Sequence, residues 1–283
     1  MHGLQILVRS LSQPGVTDQR GNVWQYHSRS DRHSKIACWG ILFDLLSHCR
    51  LLATHVEERS VVFGINHEMR DFRQNRKKNL DLVLCTPRSA TGRRRPFNLR
   101  SLGQKYGVVL SGEEQQLLDG LPELIEGPVG AVHLALEAKA CMTAHQRAQP
   151  RLYDELNSSQ LTIHGASDIA IAAGFVMVNM GKQFISPDLN KHDLRKIEPE
   201  VSNHQQPQDT VGVIGKVREI PRRGRTGEEG FDALAIAIVE CRNDGTPFQL
   251  VSSSPAPEPG DTFHYEQMIR RVAQLYESRF PHA

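Results

Sequence analysis

The most constraining feature of this sequence is the apolar segment at residues 167–180, SDIAIAAGFVMVNM, whose hydrophobic side chains fall on both alternating faces. A strand that is apolar on both faces must be covered on both sides, as a central strand between two helical layers is. Residues 80–87, LDLVLCTP, and residues 130–142, GAVHLALEAKACM, favour two more strands through their Leu, Val and Cys content. The chain is therefore predicted to fold around a sheet.

The segments between these strands have the composition of helices. Residues 34–56 carry apolar side chains at helical spacing, with Ser34 available as an N-cap. Residues 143–160 are predicted to form the helix that follows the strand at 130–142. Residues 261–280 are predicted to form a C-terminal amphipathic helix. With a short strand at 59–65 near the start, this alternation predicts a mixed α/β protein.

Two regions interrupt the alternation. Residues 88–128 mix basic, Gly, Pro and Ser residues with a short helix capped by Ser111, and they are predicted to be an insertion between neighbouring strands. Residues 181–283 form a C-terminal extension, predicted to contain a hairpin around the turn Asn-Asp-Gly at 243–245 and the final helix. We expect one domain over 1–283, with its core at about 34–180.

Composition excludes several classes of protein. The chain has 34 Lys and Arg against 32 Asp and Glu, a formal net charge of +2, so any nucleic-acid contact must come from local clusters. Its five cysteines are widely spaced without a C-x-x-C pair, which favours reduced thiols over a zinc site. No apolar run approaches the roughly 20 residues of a membrane span, and no P-loop is present. These features predict a cytoplasmic protein with no membrane contact.

Chemistry is indicated where two of the predicted strands end. Side chains alternate along a strand, so Glu137 and Lys139 are predicted to share a face, together with His133. If the strand headed by Asp81 lies beside theirs, the carboxylates of Asp81 and Glu137 converge at one edge. Two such carboxylates repel each other unless a cation lies between them, and oxygen ligands suit Mg²⁺. Lys139 would then stabilise charge that develops on a phosphoryl group.

With Asp81 on one strand, Glu137-Ala138-Lys139 on the next, then a helix and an apolar strand, the sequence resembles the PD-(D/E)XK nuclease superfamily. The resemblance covers roughly residues 34–180. It implies a restriction-endonuclease-like mixed β-sheet flanked by helices, cleavage of DNA, and dependence on Mg²⁺, for which Mn²⁺ can substitute. Asp81 and Glu137 would be the metal ligands and Lys139 the catalytic lysine. Leu80 stands where the family name has proline.

The resemblance gives meaning to the basic clusters, which taken alone are typical of solvated loops. Residues expected to contact the DNA backbone lie just before Asp81 and in the insertion: Arg76, Lys77, Lys78, Arg93, Arg94 and Arg95. The predicted function is a Mg²⁺-dependent endonuclease of prokaryotic anti-phage defence that cuts double-stranded DNA, either as a restriction enzyme or as an unspecific effector. It would act as a homo-oligomer or with a partner protein of a defence system.

Other readings stay open at this point. The chain could be a non-catalytic DNA-binding or scaffolding subunit that keeps the fold, or it could cleave RNA, because metal chemistry at phosphate does not choose the sugar. Among single residues, Glu68, Asp71 and Asp44 are weaker candidates for an additional acid. Glu68 and Asp71 are expected to lie in a charged loop at 66–79, and Asp44 is expected to be an acid on the helix surface. Gln149 to Tyr153 has the Q-x-x-x-Y spacing of RecB-like exonucleases, although Pro150 is awkward in a helix.

Overall fold

The computed structural model describes residues 1–88 and 97–282. The helices are α1 (Gly3–Ser12), α2 (Arg32–His48), α3 (Arg50–Glu57), α4 (Leu99–Tyr106), α5 (Gly112–Gly120), α6 (His145–Ala166), α7 (Gln208–Arg218) and α8 (Tyr265–Arg279). The strands are β1 (Val16–Thr17), β2 (Val23–Trp24), β3 (Val62–Asp71), β4 (Arg76–Pro87), β5 (Val129–Cys141), β6 (Ile171–Asn179), β7 (Gln183–Phe184), β8 (Ser202–Asn203), β9 (Ala233–Glu240) and β10 (Gln249–Val251).

The main sheet is mixed and has six strands in the order β10-β9-β6-β5-β4-β3. Strands β3, β4 and β5 run antiparallel to one another, β5, β6 and β9 run parallel, and β10 returns antiparallel to β9. The short pairs β1–β2 and β7–β8 lie outside this sheet. The predicted α/β class is thereby confirmed. Strands β4 and β5 are adjacent in the sheet, and β9 and β10 form an antiparallel pair that precedes α8.

Helices cover both faces of the sheet. Helices α1, α2, α3 and α8 pack on one face with Phe175 and Met177 of β6, while α6 and α7 pack on the other with Val176 and Val178. Every residue of β6 is buried, as its two apolar faces predicted. The hydrophobic effect of covering both faces therefore fixes β6 at the centre of the fold.

The outer antiparallel pair changes faces along its length. Leu82 and Leu84 of β4 point into the α2 layer, but Leu80 points into the α6 layer, although strict alternation would place all three on one side. The change occurs at Asp81 and at the residue opposite it in β3, Asn66, which has a φ of 50°. Asparagine tolerates this left-handed conformation better than most residues. The hairpin therefore twists at Asn66 and Asp81.

Several local predictions were wrong, for physical reasons. Residues 66–79 were expected to be a charged loop, yet they form the outer half of the β3–β4 hairpin, which we call the outer ribbon. This part of the hairpin buries only the side that faces α6, so most of its residues are polar. The apolar pattern that predicts a strand is therefore missing from them. Asp81 consequently lies within β4 and does not head it. The helix predicted at 34–56 is two helices, because the chain bends by 97° at the α2–α3 break.

The bulge in β5 changes the expected position of His133. Pairing with β4 shifts between Leu84 opposite Leu134 and Cys85 opposite Val132, which leaves His133 as the extra residue. Its ring stacks on Phe280 with centroids 4.4 Å apart, in the layer of α3 and α8. His133 therefore does not share the face of Glu137, contrary to the prediction from parity.

Within residues 1–88 and 97–282, no single helix combines the length and the apolar composition needed to cross a membrane. Helices α2 and α3 taken together, bent by 97°, pass by length and composition alone.

Candidate active site

The candidate site lies in a fork between β4 and β5. The two strands pair as far as Leu82 opposite Leu136, and beyond that point β4 continues only beside β3 while β5 continues only beside β6. At the mouth of the fork, the Asp81 carboxylate accepts a hydrogen bond from the Ala138 backbone N–H at 2.9 Å. The Asp81 side chain thus takes the place of a backbone hydrogen bond between the strands. The opening beside it is lined by Asp81 of β4 and by residues 138–141 of β5.

Asp81 is held by helix α2. Its Oδ1 accepts hydrogen bonds from Lys35 Nζ at 2.7 Å and from Ser34 Oγ at 2.9 Å. Burial would raise the pKa of Asp81, but the adjacent Lys35 ammonium and the hydrogen-bond donors hold that pKa below its ordinary value. Lys35 itself is only 1% exposed, so it is a buried charge that depends on Asp81 as its counter-ion. No local pattern identifies Lys35 as this partner, because it lies within the predicted apolar helix at 34–56.

Glu137 is buried and only partly satisfied. It is 1% exposed; its Oε1 lies 2.8 Å from Lys139 Nζ and 3.9 Å from Lys78 Nζ. Its other oxygen, Oε2, is buried without a hydrogen-bond partner among the described residues. Burial raises the pKa of Glu137, the Lys139 ammonium lowers it, and the nearby Asp81 charge raises it again, so that the net direction is upward. A buried carboxylate oxygen without a hydrogen-bond partner lowers the stability of the fold, and such groups often mark a binding or catalytic role.

Lys139 bridges two carboxylates. Its ammonium lies 2.8 Å from Glu137 and 3.1 Å from Glu155 of α6, which in turn accepts a hydrogen bond from Arg151 at 2.7 Å. Burial would lower the pKa of Lys139, but the two carboxylates hold it above its usual value, so the ammonium is charged at neutral pH. Lys78 donates to the Glu155 backbone carbonyl at 3.1 Å, which ties β4 to α6. Glu155 was not predicted, because its distance from Glu137 in sequence gives no signal of contact.

The acids of the fork are already paired with cations, and with the Arg151 guanidinium on Glu155 the cations exceed the carboxylates by one. Besides Arg151, the groups are three carboxylates and three ammonium groups: Asp81, Glu137, Glu155, Lys35, Lys78 and Lys139. A divalent cation entering the fork would raise its net charge by two. Negative charge from a phosphate group would offset that increase, so the electrostatics favour binding cation and phosphate together.

A cleft of about 700 Å³ opens over the fork. Asp81, Lys139 and Glu155 line it, while Glu137 lies beneath the lining. Arginine side chains stand around the same cleft: Arg29, Arg147 and Arg151. These three were not singled out from the sequence because they are isolated in it, and only the folding of α6 beside the loop before α2 brings them together. The cleft therefore joins acids and a lysine at its floor to basic groups around it.

The side chains present fit a Mg²⁺ site built from two carboxylates. The described residues include no group of three or more His, Cys, Asp or Glu side chains placed to hold a metal. Mg²⁺ in proteins is commonly bound through one or two carboxylates, with water and substrate phosphate at the remaining positions. Glu137 Oε2, buried and without a partner, has the donor chemistry required. Asp81 would supply the second carboxylate, on which Lys35 now acts as the cation.

The basic residues predicted to contact DNA fall into different environments. Arg76, Lys77 and Lys78 lie on β4 in the outer ribbon; Lys77 is exposed, while Lys78 is directed into the fork. Arg93, Arg94 and Arg95 lie outside the described residues. In the basic run at 221–225, Arg223 is a buried structural residue bound to Asp232.

The weaker candidates lie away from the fork, and Asp44 is fully buried, so the prediction of an acid on the helix surface was wrong. Asp44 accepts hydrogen bonds from the backbone N–H groups of His2 and Gly3 and from Tyr265 Oη, which fastens the N-terminus to α8. Asp71 is buried at the turn of the outer ribbon, and Glu68 forms an exposed ion pair. None of these three lines the cleft. The residues that surround the fork are therefore Asp81, Glu137 and Lys139, joined by Lys35, Lys78 and Glu155.

Comparison of the chain with protein-family models, curated proteins and solved structures gave no match.

Proposed function

We propose that this protein is a Mg²⁺-dependent DNA endonuclease of the PD-(D/E)XK type, acting in prokaryotic anti-phage defence. The observation that carries the proposal is the fork, where Asp81 and Lys139 line one cleft, Glu137 lies beneath it, and Glu137 Oε2 is buried without a hydrogen-bond partner among the described residues. The order α2-β3-β4-β5-α6-β6, with three antiparallel strands followed by a parallel one, supports a restriction-endonuclease-like arrangement. This order is the one that the resemblance implies.

Asp81 and Glu137 are the residues that would hold the metal. A bound Mg²⁺ would supply Lewis-acid polarisation of a phosphoryl oxygen and a coordinated water of lowered pKa. Lys35 and Ser34 hold the Asp81 carboxylate in one orientation, so a cation would meet an oriented ligand. Glu137 is positioned by β5, whose backbone pairs with β6 at this point, opposite Gly174.

Lys139 is the residue that would act on the reacting phosphate. Its pKa is raised by Glu137 and Glu155, so it carries a full positive charge at neutral pH and is not a general base there. A fixed ammonium beside the scissile phosphate stabilises negative charge as it builds up in the transition state, and it orients the attacking water by a hydrogen bond. Glu155 keeps the ammonium in this position from the side of α6.

Arg29, Arg147 and Arg151 would hold the phosphate backbone at the cleft. Arginine binds phosphate oxygens in a bidentate way without reading the bases, which places the backbone but gives no sequence specificity. A duplex backbone could thus be held over the fork by groups that come from α6 and from the loop before α2.

A second candidate is a non-catalytic DNA-binding subunit with the same fold. The ion pair of Lys35 with Asp81 favours it, because it satisfies one proposed ligand without any metal. Under this alternative the six charged groups of the fork would be a structural network, and DNA would bind at the arginines.

The deciding experiment is incubation of the purified protein with supercoiled plasmid in Mg²⁺, in Mn²⁺ and in EDTA. The endonuclease proposal expects nicking or linearisation in either metal, none in EDTA, and at least a hundredfold loss of rate in Lys139→Ala, the scale of removing one transition-state donor. The matched control is Lys196→Ala, which should cut normally. Lys196 is an exposed lysine that pairs with Asp193 and does not line the cleft.

Equal cutting by Lys139→Ala would remove the catalytic assignment. Plasmid binding in EDTA combined with no cutting in either metal, by the wild type or any variant, would favour the DNA-binding subunit. The pattern of products separates the two forms of the proposal, because a restriction enzyme gives discrete fragments and an unspecific effector degrades the plasmid to a smear.

A further inference from the structure

The outer ribbon, residues 66–79, exposes an aromatic ring at its tip. Phe72 is 77% exposed, more than any other large hydrophobic residue among those that the structure describes. It lies in the turn between β3 and β4, surrounded in sequence by Arg70, Arg73 and Arg76. The segment carries five basic and two acidic residues, so the ring is presented from a positively charged element.

The turn that carries Phe72 is held in place. Asp71 is buried, and its Oδ1 accepts the backbone N–H groups of Arg73 at 2.8 Å and Gln74 at 3.3 Å. The turn also presses on the end of α6, since a Cβ at Gly165 would lie 2.2 Å from Asp71 Oδ1. The exposed ring is therefore carried on a braced turn, which lowers the entropic cost of using it to bind a partner.

The two sides of the outer ribbon have different roles. Met69 and Lys78 point towards α6, where Met69 is buried and Lys78 reaches the Glu155 carbonyl and Glu137. Arg70 and Lys77, a cross-strand pair, alternate to the other side and are exposed there. One side fastens the outer ribbon to the candidate site, and the opposite side offers cations.

The geometry places Phe72 within reach of a duplex bound at the fork. From Lys78, which contacts Glu137, the strand rises by about 3.3 Å per residue, so the tip lies roughly 10 Å further on. At about 3.4 Å per nucleotide of a strand, this separation corresponds to about three nucleotides. A backbone held at the fork would continue past the exposed arginines and the ring.

We propose that the outer ribbon binds duplex DNA next to the cleavage site, with Phe72 packing against a base that it unstacks and Arg70, Arg73 and Lys77 on the flanking phosphates. The proposal rests on the DNA endonuclease function and adds the means of substrate engagement. Positive charge around the ring favours a polyanion, and the bases of nucleic acid offer flat faces to an aromatic ring once a base step is unstacked.

The test is a binding titration in EDTA, which prevents metal-dependent cleavage, using a fluorescently labelled duplex. Phe72→Ala is expected to weaken binding about tenfold, the scale of losing one base-stacking aromatic, while Phe72→Trp retains affinity. Arg73→Ala should reduce the slope of log affinity against log salt by about one. Ile197→Ala, which removes another exposed apolar side chain, and Arg270→Ala, on α8, are the matched controls and should bind as the wild type does.

Unstacking is measured directly with the fluorescent base aminopurine placed three nucleotides from the preferred cut. The wild type should increase its emission and Phe72→Ala should not. Equal affinity of Phe72→Ala and the wild type, or no wild-type binding to the duplex at low salt, would overturn the proposal. A change in self-association of Phe72→Ala with unchanged DNA affinity would overturn it in favour of a protein interface.

The two proposals fail separately. Phe72→Ala tests the binding proposal in EDTA, and Lys139→Ala tests the cleavage proposal in Mg²⁺, so the two readouts are independent. If DNA binding depends on Phe72 but the protein cleaves no plasmid, the role of the outer ribbon stands and the nuclease proposal fails. Cleavage that needs Lys139 while binding ignores Phe72 would do the reverse.

Discussion

Two clusters of buried charge in this protein invite comparison, one at Asp232 and one in the fork. In the first, both oxygens of Asp232 are saturated: Oδ1 accepts from Arg223 at 2.9 Å and Arg279 at 2.7 Å, and Oδ2 from Arg223 at 3.0 Å and the Ala172 N–H at 2.8 Å. In the fork, Glu137 Oε2 has no such partner. Complete satisfaction stabilises a fold, whereas an unsatisfied acid beside a cleft is what binding chemistry requires.

The pKa values of the two acids move in opposite directions. Burial would raise the pKa of Asp232, but Arg223, Arg279 and the Ala172 N–H hold it below its ordinary value. For Glu137, burial prevails over Lys139, and the pKa is raised. Relative to the unfolded chain, folding therefore favours ionisation of Asp232 and disfavours ionisation of Glu137, so replacing each acid by its neutral amide compares the two sites directly.

The largest expected effect is that of Asp232→Asn. Neutralising one partner of this buried ion pair leaves Arg223 only the partly exposed Asp168, 3.4 Å away, as an acid, with a cost of about 3 kcal/mol in the free energy of unfolding. Denaturant titration measures it, with the exposed pair of Arg270 and Glu266 as the control, where Glu266→Ala should cost less than about 1 kcal/mol. A loss at Asp232 no larger than that of the control would break the comparison.

Lys35→Met should come next, with a loss of about 2 kcal/mol in EDTA, smaller than for Asp232 because Asp81 keeps the donors Ser34 and Ala138. Mg²⁺ should restore part of the melting temperature, since a cation that replaces the ammonium stabilises the folded state by linkage. The double variant Lys35→Met with Asp81→Asn should show no such recovery. Equal effects of Mg²⁺ on the single and double variants would argue against Asp81 as a ligand.

Glu137→Gln should stabilise the protein at neutral pH, by about 1 kcal/mol, while it abolishes metal-dependent cleavage, the common trade between stability and function. The reason is that the folded state disfavours the charge which the variant removes. The same acid-to-amide change thus has opposite signs at Asp232 and Glu137. A destabilised Glu137→Gln protein would show that the ion pair with Lys139 outweighs burial.

The advantage of Glu137→Gln should depend on pH. A raised pKa means that Glu137 binds its proton more tightly in the folded state than in the unfolded state. Its contribution to the stability of the wild type is therefore full below the unfolded pKa of 4.5 and falls as the pH rises through the folded pKa. The variant should therefore gain most above that folded pKa and gain nothing below pH 4.5. Melting temperatures of both proteins across this range check the sign, and a gain that grows on acidification would contradict it.

The smallest stability effect is expected for Lys77→Ala. Lys77 and Glu68 form an ion pair at 2.9 Å with both side chains more than half exposed, so its loss should cost less than about 0.5 kcal/mol. DNA affinity should nevertheless become less salt-dependent, by about one unit of slope. A large loss of stability would mean that the outer ribbon supports the fold and is not a surface for binding.

Much of the fold could be predicted from apolar patterns. The run 167–180 became a strand buried on both faces, and Ser111 with Glu114 forms the expected capping box of α5. The outer ribbon could not be predicted, because its strands are polar and are stabilised by one side only. The swap of faces at Asn66 and Asp81 depends on a backbone conformation that alternation does not encode.

The site was predictable in part for the same reason. Glu137 and Lys139 are two residues apart on one strand, so local geometry sets their shared face. Asp81 meets them only through the register of β4 and β5. Lys35 and Glu155 come from helices on opposite faces of the sheet, and no local pattern announces such tertiary neighbours.

The swap of faces has a mechanical consequence. The inner part of the β3–β4 hairpin packs against helices on both faces and the outer part against α6 on one face, so moving the twist along the strands would expose buried apolar side chains. Asp81 is located at that pivot. If a duplex binds at the tip as proposed, any force that it exerts there would twist the hairpin about Asp81. Binding at the outer ribbon would then be coupled to the orientation of the Asp81 carboxylate.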